Sequence, residues 1–293
     1  MKGPIKAVLA IYTCASVFTY GSFFFFPQFV SLSFSGRLIW SIVGFSGLFL
    51  SVIVVSKLFI GEWKTRRIGW VKENFSMSFL WISALCFPVT LGNLVRAHVV
   101  GASTVIESFG IGISAPYSFW LPLFAITFWS FSGATSFSFL QAFPYESLRE
   151  YPKKYILPSI ALLFILQYNA PLVTGEFNPG DILWLGTIFL LIYHRFRNSL
   201  SLILAYVTLY EFPVLWCFGA AWGEAAFFTV LYARVAWSGI AASTLALFKL
   251  KGKMDFAKAP NNLEVSRGDP HCFHSRNMWS HYPAVLPQQC HGV

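Results

Sequence analysis

Long runs without a single charged side chain constrain this chain more than anything else in it. Residues 7–36, 38–56, 74–95, 108–145 and 155–175 contain no Asp, Glu, Lys or Arg. Residues 198–223 carry only Glu211, and 225–248 only Arg234. The hydrocarbon core of a bilayer, about 30 Å thick, takes roughly 20 apolar residues per helix. With 56% hydrophobic and 11% charged residues, against about a quarter charged in soluble proteins, the composition points the same way. The stretch 182–194 is shorter, about 20 Å as a helix. Asn178-Pro179-Gly180-Asp181 supplies turn and cap chemistry before it. A short span and a re-entrant segment are both open there. The expected fold is all-α, a polytopic bundle of about eight spans.

The cations say which way such a bundle lies. Lys2 and Lys6 precede the first span, Arg37 follows it, and Lys64, Arg66, Arg67 and Lys72 fill the next loop. Then come Arg96 alone, Arg149 with Lys153 and Lys154, a loop at 176–181 with none, and Arg195 with Arg197. Residues 219–224 have none, and Lys249, Lys251, Lys253 and Lys258 close the series. Basic loops stay cytoplasmic, so both termini are expected in the cytoplasm of a multi-pass cell-membrane protein. This placement also assigns the net charge of +9 to topology rather than to nucleic acid. The first apolar run exceeds a signal-peptide core and reads as an uncleaved span. Residues 109–116 read as an external loop, with a helix from about Tyr117. The domains expected are a helical membrane domain over 1–250 and a cytoplasmic tail over 251–293. The tail holds His271, Cys272, His274, His281, Cys290 and His291 in no closed four-ligand spacing. A disordered tail and a metal-binding tail are its two readings.

Polar side chains inside apolar runs need partners. Glu211 and Arg234 fall near mid-depth on consecutive antiparallel helices and are plausible ion-pair partners, either a packing device or a proton or solute path. Gln167, Tyr168 and Asn169 form a second set. Tyr206 and Tyr210, at i and i+4, share one helical face. No cluster with metal-ligand spacing lies inside the runs, so neither a metal nor a cofactor is expected.

From Ser136 to about Trp216 the order of features resembles the CPBP family, the CAAX-protease and bacteriocin-processing (Abi-type) intramembrane proteases. SFSFLQAFPYESLRE sits where the family has an EExxxR helix, placing Ser136 and Phe137 at its paired glutamates and Gln141 at its arginine. PSIALLFILQYNAP resembles its FxxxH span, with Phe164 kept and Tyr168 at the histidine. ILWLGTIFLLIYHRFRNSLSLILAY resembles the segment ending in HxxxN, with Tyr206 and Tyr210 on that pair. The resemblance implies a family-like region over about 117–218 from which every catalytic group is missing. It implies a pseudoenzyme whose polar chamber, lined by Gln141, Gln167, Tyr168, Asn169, Tyr206 and Tyr210, binds a membrane or lipidated peptide without cutting it. Two alternatives remain: an active endopeptidase using Glu146 or Glu211, and a small permease built on Glu211 and Arg234.

Overall fold

The computed structural model describes residues 3–25, 34–102, 120–168, 182–210, 218 and 222–250, all within the unit Met1–Asp255. Among the described residues the fold is all-α, without strands. Helix α1 is Gly3–Phe25, α2 Phe34–Ile60, α3 Phe75–Leu85, α4 Phe87–Val100 and α5 Trp120–Ala134. A π-helical turn, π1 (Phe137–Ala142), leads into α6 (Phe143–Ser147). Then come α7 (Lys153–Tyr168), π2 (Ile182–Ile188), α8 (Phe189–Phe196), α9 (Ser199–Ala205), π3 (Tyr206–Tyr210) and α10 (Glu224–Leu250).

By length and composition, Ile42–Ile60 and Glu224–Leu250 can cross a membrane, with mean hydropathies of 2.1 and 1.4. A third span exists if α3 and α4, bent by 41° at Cys86, count as one. Gly3–Phe18 and Ser199–Tyr210 are shorter apolar helices. The helix expected from Tyr117 begins, within the described residues, at Trp120. The stretch 182–194 is helical throughout, as π2 running into α8. The loop at 109–116 and the tail at 251–293 lie outside the described residues.

The π1 segment is the hub. All six of its residues are buried, and α1, α2, α6, α7, α8 and α9 pack around it. The sequence explains part of its geometry. Pro144 has no N–H and cannot close the α-type bond to the Leu140 carbonyl. The Tyr12 hydroxyl on α1 donates to that carbonyl at 2.5 Å instead. A buried carbonyl without a donor would cost about 1–3 kcal/mol.

Residues 61–74 are sewn to the start of α9. Gly69 adopts φ +73, and a Cβ there would lie 2.6 Å from the Tyr193 ring, so glycine is required by both conformation and space. Its carbonyl accepts from Ser199 N at 3.0 Å. Asn198 donates to the carbonyls of Val71 (2.6 Å) and Glu73 (3.0 Å) while its Oδ1 caps α9 by accepting from Ser201 N. Trp70 Nε1 donates to Ser138 Oγ at 2.9 Å, and Ser138 Oγ meets Ser199 Oγ at 2.8 Å, joining this loop to π1.

Helix α10 packs on α3 and α4 through a stripe of buried residues that includes Phe227, Leu231, Arg234, Ser238 and Ala241. Trp237 Nε1 adds a hydrogen bond to Ser83 Oγ at 3.2 Å.

The account of π1 gives a double-mutant test. Tyr12→Phe should lower stability in detergent by about 1–3 kcal/mol by orphaning the Leu140 carbonyl. In a Pro144→Ala background, where residue 144 regains an N–H, the same change should cost much less. Equal losses in both backgrounds, read from thermal unfolding, would refute the assignment.

Candidate functional site

The π1 turn touches both of the other π-helical turns. Such turns are rare, and they occur often at functional sites. The Phe137 ring of π1 lies 5.7 Å from Phe164 on α7, 4.8 Å from Phe189 on α8 and 5.4 Å, edge to face, from Tyr206 on π3. Tyr206 stacks on Tyr210 with centroids 5.5 Å apart, and Tyr210 meets Phe189 at 6.3 Å. One turn on from Phe137, Gln141 is fully buried and its Nε2 donates to the Leu185 carbonyl of π2 at 2.7 Å. Its Oε1 has no partner among the described residues. At Gly186, next to that carbonyl, a Cβ would fall 2.6 Å from Ile165, so a side chain would push α7 away.

The structure thus brings together Phe137, Tyr206 and Tyr210, with Gln141 fixing π1 to π2. Ser136 Oγ is buried and, among the described residues, unpartnered. Gln167 Oε1 accepts from Ser16 Oγ on α1 at 2.8 Å. Tyr168 is the last residue of α7, and its side chain lies outside the described residues, as do Asn169 and Glu211. The expected pairing of Glu211 with Arg234 therefore also lies outside them. Arg234 itself is buried, on the α10 stripe facing α3 and α4.

Two further features escaped the sequence reading. The first is a groove of about 510 Å³ between α5 and the α9–π3 helix. Phe124, Phe128 and Phe131 line one wall and Ile203, Leu204 and Val207 the other. Phe124 and Leu204 are also exposed on the surface, so the groove is open. Its lining is hydrocarbon apart from Thr127, which suits an alkyl or isoprenoid chain rather than a polar metabolite. Only the i, i+3, i+4, i+7 spacing of Leu200, Ile203, Leu204 and Val207 hinted at it, and that spacing marks any buried helix face.

The second is a polar cluster where α6 meets the end of α8. Glu146 Oε1 accepts from the Tyr193 hydroxyl at 3.0 Å and forms an ion pair with Arg197. The Arg197 guanidinium sits 4.3 Å over the Tyr145 ring, and the Tyr145 hydroxyl bonds His194 Nδ1 at 2.6 Å. Arg197 ends α8 in the left-handed region at φ 56, where glycine is usual. Its side-chain partners offset that strain of about 1–2 kcal/mol. Burial disfavours the Arg197 charge, but the Glu146 carboxylate more than compensates, leaving its pKa above the ordinary arginine value.

Chemically, the residues where π1 touches π2 and π3 offer no group suited to acid–base work. Phe and Gln do not titrate, and a tyrosine titrating near about 10 is no general base at neutral pH. Glu146 is a carboxylate, but its Oε1 is engaged by a guanidinium and a phenol. Among the described residues no group of three or more His, Cys, Asp or Glu is placed to hold a metal. No family model, no curated protein and no solved structure matches the chain.

The polar cluster predicts non-additive mutations. Glu146→Gln and Arg197→Gln should each cost about 1–3 kcal/mol, since each strands a half-buried charge. The double substitution should cost clearly less than their sum. Additive losses in thermal unfolding would mean that the pair contributes nothing as a pair.

Proposed function

We propose that this is a multi-pass membrane protein of CPBP-like architecture, with eight spans and both termini cytoplasmic. In this reading it binds a lipidated or membrane peptide and does not cut it. One observation carries the proposal. Phe137, Gln141, Tyr206 and Tyr210, at positions where the active family has a glutamate, arginine, histidine and asparagine, cluster where π1 touches π2 and π3. None of them can activate water. The apolar groove includes Ile203, Leu204 and Val207 from the helix that carries Tyr206. A lipid chain in that groove would bring its attached peptide alongside this helix. The topology is supported by the contacts among the basic loops: residues 61–74 bond to 198–199, and Glu146 pairs with Arg197. All of these segments fall on one side in the eight-span reading.

The test is binding of a farnesylated, fluorescent peptide to the purified full chain in nanodiscs, with mass spectrometry of the peptide afterwards. Saturable binding of the intact peptide is expected, weakened at least about tenfold when the farnesyl group is absent. Ile203→Trp, which fills the groove, should weaken it similarly. Failure to bind would defeat the proposal. Cleavage abolished by Glu146→Gln would replace it with the active-endopeptidase reading.

A further inference from the structure

Independently of that reading, we propose that the α6–α7 turn and the end of α8 form a binding site for the phosphate-bearing headgroup of an anionic phospholipid. These segments carry five cations: Arg149 in the turn, Lys153 and Lys154 opening α7, and Arg195 and Arg197 closing α8. The Tyr145–His194 hydrogen bond and the Glu146–Arg197 ion pair hold α6, which runs directly into this turn, against the end of α8. The carboxylates on these segments are Glu146 and Glu150. Glu146 is committed to Arg197, leaving Glu150 at the exposed turn. Arg149, Lys153 and Lys154 are exposed and make no ion pair among the described residues. The Tyr145 hydroxyl holds His194 through Nδ1, so Nε2 is the ring nitrogen left for a ligand oxygen.

Charge alone would suit any polyanion, and the surface beside it selects a lipid. Tyr155, Leu162 and Leu166 on α7 are 64%, 58% and 47% exposed, and follow one another at helical spacing from the cationic end. Leu191 on α8 is 49% exposed. Lys154 Nζ lies 4.9 Å over the Tyr155 ring, joining the cationic end to this apolar stripe. Fixed cations above an exposed aliphatic strip match a molecule with an anionic head and hydrocarbon tails. Free phosphate matches only the upper half, and an acidic protein or nucleic acid leaves the strip uncovered.

Native mass spectrometry of the full chain in detergent, incubated with phosphatidylglycerol or phosphatidylcholine, tests this. Preferential retention of phosphatidylglycerol is expected. Lys153→Gln with Arg195→Gln should weaken it roughly thirtyfold, from the contribution of each cation near an anionic surface. Arg66→Gln with Lys72→Gln, which removes two charges from another basic loop, should leave it unchanged. Should the first pair fail to fold, as judged by thermal unfolding, Arg149→Gln with Lys154→Gln should show the same loss. The proposal is overturned if the α7–α8 variants retain phosphatidylglycerol fully, or if the control pair loses it equally. It is also overturned if millimolar inorganic phosphate displaces the lipid, because the site would then be one for a soluble anion.

Discussion

Between Phe137 and Ala142 the backbone is enclosed by protein on all sides, so its hydrogen bonds have to be closed without water. Much of the surrounding architecture follows from that requirement. Pro144 withholds an N–H, and Tyr12 arrives from α1 to supply a donor. Ser138 accepts from Trp70 and meets Ser199, which ties the loop before α3 to the start of α9. Gln141 satisfies a carbonyl of π2. Helices from α1 to α9 therefore converge on six residues. Their register relative to one another is set by directional polar bonds as well as by apolar packing.

The same logic explains why the site is poor in reactive groups. A widened helical turn displaces side chains from ordinary α positions. Here the displaced side chains are Phe137, Gln141 and Tyr206, which pack or donate but do not exchange protons near neutral pH. The single carboxylate close to π1 along the chain, Glu146, is drawn into the cluster with Tyr193 and Arg197. Charge is thus concentrated at the helix ends, while the interior offers aromatic faces and an open hydrocarbon groove.

The all-α class was legible because charge-free runs of this length have few other solutions. The residues singled out by the resemblance, 136–141 and 206–210, overlap π1 and π3. The π geometry was not legible, because one extra residue per turn leaves an apolar run looking the same. Glu146 and Arg197 are 51 residues apart, one in α6 and the other capping α8, so nothing local joins them. The groove was hidden for a related reason: in so apolar a chain, phenylalanines that line a cavity read like phenylalanines that fill a core. The count of spans rests on the charge pattern, with two helices, or three with the bent pair, long and apolar enough by themselves.

The stitched loop at 61–74 also bears on how such a chain is made. The carbonyls of Ile68, Val71 and Glu73 find their side-chain donors 131, 127 and 125 residues later. During synthesis from the N-terminus, the loop leaves the ribosome well before Asn198 and Ser199 exist. Until they arrive those carbonyls have no side-chain donor and only water to bond. The loop is then a socket, formed early and kept wet, into which the start of α9 docks late. Assembly of the core would be gated by the arrival of one asparagine and one serine rather than by the formation of the hydrophobic helices themselves.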